Sequence, residues 1–135
     1  MCQPKSGIVL KDKVFCPLDY DEHEQMIKEL KLDDTTKTPD FVRVEIIPKD
    51  NDIFNHNLNN WELKVDQDFK PEWFSEKFAL IEMQKELQRW WQERFIVNKE
   101  IDNLIEGVWY VGRNAVIKNC YGNAVIKNCY GNAVI

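Results

Sequence analysis

The feature that most constrains what this chain can fold into lies at its C-terminal end, where NAVIKNCYG occurs twice without a change. Residues 114–122 and 123–131 are identical, and 132–135 open a third copy. The stretch Ala-Val-Ile-Lys-Asn-Cys-Tyr has the composition of a strand, and Gly-Asn is a turn signal. If each copy is one rung, Asn114, Asn123 and Asn132 form an amide ladder, with Cys120 over Cys129 and Tyr121 over Tyr130. Nonapeptide periods belong to β-solenoids and calcium-binding β-rolls. This unit lacks the Gly-Gly and Asp residues that ligate calcium there, so no calcium is expected. A solenoid needs about three repeats to bury a continuous core. Two copies and a fraction leave an exposed last rung with open N–H and C=O groups. Two arrangements answer that exposure. A second copy of the chain can cover Val116, Ile117, Cys120, Tyr121, Val125, Ile126, Cys129 and Tyr130, giving a homodimer. Alternatively, the repeat strands extend the sheet of the preceding domain. The copy number itself suggests a piece of a longer array.

The part before the repeat reads as a small α+β domain, 1–107, with 108–135 as the β-repeat segment. Residues 7–16 predict a β-hairpin, Ile8-Val9-Leu10 and Val14-Phe15-Cys16 around a polar turn. Asp19 or Asp21 is placed to cap a helix running to about Leu32. Val42, Val44 and Ile46 alternate with Arg43 and Glu45, the pattern of a half-buried strand. Residues 49–60 are rich in Asp and Asn and predict a flexible loop. Trp61 to Val65 alternates as a further strand. Pro71 suits the first turn of a long helix over 72–95. Its stripe of Trp73, Phe74, Phe78, Leu80, Ile81, Met83, Leu87, Trp90, Trp91 and Phe95 predicts the face that buries against the sheet. The expected fold is thus a small antiparallel sheet packed on one long and one short helix, followed by repeats as a partial solenoid or sheet extension.

Charge narrows the partners. The net charge is −5, and all 23 acidic residues precede Gly107, while the tail carries only Arg113, Lys118 and Lys127. An acidic body argues against binding a phosphate backbone, which needs a Lys/Arg footprint. It suits a basic protein partner, or imitation of nucleic acid before a nucleic-acid-binding protein. Asp19, Asp21, Glu22, Glu24, Asp33 and Asp34 are the expected partner-binding surface. No apolar run approaches the ~18 residues of a membrane-spanning helix, and no signal-peptide pattern opens the chain, so the expected location is the cytoplasm of a bacterial host.

No catalytic set, cofactor or metal is expected. Cys2, Cys16, Cys120 and Cys129 lack ligand spacing, and His23 and His56 stand alone in the sequence. Asp66 and Asp68 read as a turn and cap, and His23 as a solvent-facing helix position. Met1-Cys2 keeps one enzymatic alternative open, an N-terminal-cysteine amidohydrolase whose α-amino group is its own base.

The opening Cys2-Gln3-Pro4-Lys5-Ser6-Gly7-Ile8-Val9-Leu10-Lys11-Asp12-Lys13-Val14-Phe15, then Phe41-Val42-Arg43-Val44-Glu45, then Val65-Asp66-Gln67-Asp68 with Pro71-Glu72-Trp73, resembles a family of uncharacterised phage and bacterial mobile-element proteins. In that family a domain of this kind precedes arrays of short β repeats. The resemblance implies an accessory role and carries no residue roles. Together these readings point to a non-enzymatic protein-binding accessory protein of phage or mobile-element origin, an inhibitor of a host defence nuclease of CRISPR type through its acidic surface. A structural, self-assembling module acting through the repeats is the alternative of a different class.

Overall fold

A computed structural model describes residues 5–112 and 114–130, with side chains described through Lys127. The chain is mixed α/β and divides into two compact units. One, here called the body, holds residues up to Pro17 and Asp21–Gln88; the other, the β stack, holds Leu18–Tyr20 and the chain from Arg89. The division between the compact units falls at Arg89, and the parallel pairing that makes the stack starts well before the repeat.

In the body, β1 (Lys5–Val9) and β2 (Val14–Phe15) form the expected hairpin. The turn between them closes through Leu10 N–H donating to the Lys13 carbonyl at 2.7 Å. With β3 (Val42–Pro48) and β4 (Trp61–Val65) they make an antiparallel sheet of order β2-β1-β3-β4. Along β3 the side chains alternate buried and half-buried, so Val42, Val44 and Ile46 enter the core as their period requires. Helix α1 (His23–Glu29) is shorter than expected, and its N-cap Glu22 makes no side-chain cap bond. The aspartates expected to cap it are engaged elsewhere. Asp21 receives Ser6 N–H at 3.2 Å and pairs with the buried Lys5 ammonium at 3.2 Å. A carboxylate committed to a buried ammonium is not free for the helix N-terminus, and α1 starts without a cap worth about 1 kcal/mol.

The loop 49–60, expected to be flexible from its composition, is laced by side-chain hydrogen bonds. The Asp50 carboxylate accepts from Asn55 Nδ2 at 2.8 Å, Asn60 Nδ2 at 2.7 Å and Asp52 N–H at 3.0 Å. These bonds hold the Asp50 carboxyl below the usual carboxylate range, the Asn55 contact first. Within the loop Ile53 and Phe54 are buried, and Trp61 Nε1 donates to the Asn55 carbonyl at 2.8 Å.

Helix α2 (Glu76–Arg94) begins later than the expected 72, because Pro71 turns the chain first, with Phe74 N–H bonded to the Pro71 carbonyl. Ala79, Met83 and Leu87 are its buried positions in the body, whereas Ile81 is 42% exposed and leaves the expected stripe.

The β stack carries the last turns of α2 and five strands: β5 (Phe95–Val97), β6 (Glu100–Leu104), β7 (Gly107–Gly112), β8 (Val116–Cys120) and β9 (Ala124–Tyr130). Successive strands alternate between two parallel sheets, β5-β7-β9 and β6-β8. Between them lies a core of Ile96, Leu104, Val111, Ala115 and Ile117, with Ile101, Trp109 and Ile126 packed against it. Trp90, Phe95 and Tyr110 join the α2 terminus to this unit through ring contacts of 4.8–5.1 Å.

This pairing corrects the copy-on-copy rung. Among the described residues β8 and β9, which come from successive copies, do not pair with each other; Ile117 stands beside Ile101 and Val125 beside Val108. The ladder of Asn114 on Asn123 therefore does not form. Positive-φ residues mark the corners of the stack. Asn98 and Asn114 take positive φ (54° and 64°) where the chain leaves β5 and β7, while Gly107 and Gly122 take positive φ (118° and 61°) where it enters β7 and approaches β9. Asn and Gly are the residues that tolerate this backbone. Nine residues thus make one strand and one corner.

Candidate functional site

The body brings three potential ligand groups together from separate elements. His23 opens α1, Glu45 sits in the middle of β3, and Asp66 follows β4. One ligand atom from each lies within 4.8 Å of the other two. His23 is not solvent-facing: its side chain is 11% exposed, and Nε2 lies 2.9 Å from the Val44 carbonyl. A carbonyl only accepts, so Nε2 carries the proton and the ring is held in one orientation. Nδ1 then faces the Asp66 carboxylate at 3.9 Å. Backbone geometry sets the rest. Glu45 is on the polar face of β3, and Asp66 N–H donates to the Arg43 carbonyl at 2.9 Å, which anchors Asp66 beside that strand. The neighbouring Arg43 guanidinium is directed to Gln67 Oε1 at 2.9 Å and lies over the Phe41 ring. Nothing in the local sequence around His23 signals this cluster, because its members are brought together only by the pairing of β3 with β4 and the seating of α1. The nearest thing to a signal is Glu45 on the polar face of a clearly alternating strand.

The β stack offers a different surface. Ile105 and Tyr121, directly after the paired Leu104 and Cys120, are 66% and 56% exposed, and Val125 is 47% exposed. Tyr121 N–H donates to the Leu104 carbonyl at 2.8 Å, so the two corners keep the register of their strands. Val125 also borders a shallow cleft with Asp19, Arg94, Glu106 and Asn123. Of the residues expected to self-associate, Ile117 is buried and Ile126 packs on the core, so neither is available. Val116 is half-buried, and Cys120, Tyr121 and Val125 are exposed. The side chains of Cys129 and Tyr130 lie outside the described residues, as does Cys2 with the enzymatic alternative built on it.

The expected acidic surface is divided in the same way. Asp19 belongs to the β stack, where it pairs with Arg94 and accepts Val108 N–H at 3.0 Å. Asp21 is tied to Lys5 and Ser6, and Glu22 accepts Asp21 N–H. Glu24 and Asp34 are exposed, and Asp33 accepts from Thr35, which holds its carboxyl below the usual range. Comparison with protein-family models, curated proteins and solved structures finds no match. Among the described residues no helix is long and apolar enough to cross a membrane.

Proposed function

We propose that this chain is a non-enzymatic protein-binding accessory protein whose interaction surface is the C-terminal β stack, with a second copy of the chain as its first partner. The observation that carries the reading is the pair of exposed apolar side chains Ile105 and Tyr121 on neighbouring corners after β6 and β8, with a further exposed one, Val125, on the edge strand β9. Isolated exposed apolar residues are ordinary, but apolar residues in register on neighbouring corners favour a contact surface. In this reading the two parallel sheets are the start of a β-solenoid, and added copies lengthen it one strand at a time.

The expected phage or mobile-element setting, in a bacterial cytoplasm, enters through the acidic face. Glu24, Asp33 and Asp34 are the carboxylates best placed to meet a basic, nucleic-acid-binding host protein such as a defence nuclease. Asp19 and Asp21 serve Arg94 and Lys5. Sedimentation of the full chain tests the main reading. A dimer that dissociates in Ile105→Lys/Tyr121→Lys is expected, and a monomer at high micromolar concentration would sink self-association. For the acidic face, inhibition of a nuclease that survives Glu24→Lys/Asp33→Lys/Asp34→Lys rules out mimicry.

A further inference from the structure

We propose that His23 Nδ1, Glu45 and Asp66 form a three-ligand site for a divalent transition-metal cation, with Zn²⁺ as the best fit. The proposal stands apart from the reading of the β stack. Its first support is the histidine's tautomer. With Nε2 donating to the Val44 carbonyl at 2.9 Å, Nδ1 is the ring nitrogen left facing Asp66 Oδ2, 3.9 Å away. Metal-bound histidines commonly donate their other ring nitrogen to a backbone carbonyl, which fixes tautomer and orientation before the metal arrives. Here that outer bond is already in place.

The second support is the donor set. One imidazole nitrogen and two carboxylates converge from three elements, with all three ligand atoms within 4.8 Å of one another. Ligands about 2.0–2.2 Å from a common Zn²⁺ stand roughly 3–4 Å apart. Small χ rotations of Glu45 and of the exposed Asp66 close that difference. One nitrogen with two carboxylate oxygens suits a borderline cation, and three protein ligands leave a coordination position for water or a partner's side chain. The nearby cations are disposed in compatible ways. Arg43 is engaged with Gln67 and Phe41, and Lys64, the register partner of Glu45, is exposed and can swing into solvent.

The test is titration of the full chain with Zn²⁺ alone, followed by calorimetry and by the ring ¹⁵N shifts of His23. One equivalent is expected to bind with a large shift at Nδ1 and little at Nε2. Asp66→Asn and Glu45→Gln, which leave the Val44 contact in place, are each expected to weaken binding at least tenfold. Co²⁺ absorption separates this site from the exposed Cys120 thiol, which would add a sulfur charge-transfer band. No Nδ1 shift at millimolar Zn²⁺ overturns the proposal, as does affinity unchanged in both variants or a cobalt spectrum dominated by sulfur.

Discussion

At the scale of single residues, two positions show how little room the body leaves. A Cβ added to Gly7 on β1 would lie 2.8 Å from Met83 Sδ and 3.2 Å from the Phe15 carbonyl oxygen. The backbone there cannot retreat without disturbing the β1–β2 hairpin, so Gly7→Ala is expected to destabilise the protein by about 1–3 kcal/mol in urea melts. Asp21 is the other. Its carboxylate is 17% exposed and faces the Lys5 ammonium, which is 1% exposed. Asp21→Ala removes a carboxylate facing a buried ammonium and is expected to cost more than about 1 kcal/mol, whereas Asp34→Ala on the exposed surface costs under about 0.5 kcal/mol. Equal losses in chemical denaturation would show that Asp21 holds nothing up.

At the scale of elements, α2 and the loop 49–60 each make a distinct claim. Leu87 is fully buried and Ile81 is 42% exposed, although both belong to the same apolar stripe in the sequence. Leu87→Ala should cost about 2–5 kcal/mol and Ile81→Ala less than about 1 kcal/mol, which thermal unfolding of the two variants will separate. The loop is expected to respond to acid. Asp50's folded pKa is lowered by Asn55, Asn60 and Asp52 N–H, so its stabilisation is present above the ordinary carboxylate range. That stabilisation is lost as pH falls through the lowered value. The Asn55 and Asn60 side-chain amide signals should keep their bonded shifts at pH 6 and collapse toward random-coil values near pH 2. Signals that stay put across that range would mean the carboxylate does not organise the loop.

At the scale of the whole molecule, the alternation of strands gives the repeat a structural unit. One copy supplies β8 in one sheet and the next supplies β9 in the other. Residues 100–107, EIDNLIEG, already follow this grammar in degenerate form, with Ile101 beside Ile117, Asn103 beside Asn119 and Leu104 beside Cys120. Inserting two further NAVIKNCYG copies after Gly122 should therefore add one strand to each sheet and slow amide exchange throughout the insert. Inserted copies that exchange as freely as an unfolded peptide would show that the stack cannot grow. The first-copy Lys118, its ammonium pKa raised above its usual range by Glu100 at 2.7 Å and Asp102, ties the repeat strand β8 to β6.

The sequence by itself determined the elements that rest on local periodicity. The hairpin around Lys11–Lys13, the alternating β3 and β4, and a long helix through Leu87 all follow from patterns of two or 3.6 residues. The β character of the repeat was legible for the same reason. What tertiary structure alone decided was pairing. A strand does not encode its neighbour, so nothing in NAVIKNCYG says whether a copy lies on the next copy or on a strand sixteen residues away. The same holds for Asp19 and Asp21, which read as helix caps until Arg94 and Lys5 are brought to them. His23 stands alone in the sequence and becomes one of three converging donors only when β3 and β4 are paired and α1 is seated. Periodicity is a property of the chain, but register and convergence are free-energy choices among distant segments. The repeat is the clearest case: its nine residues define a strand and a corner, and the fold decides that one copy pairs with β6 and the next with β7.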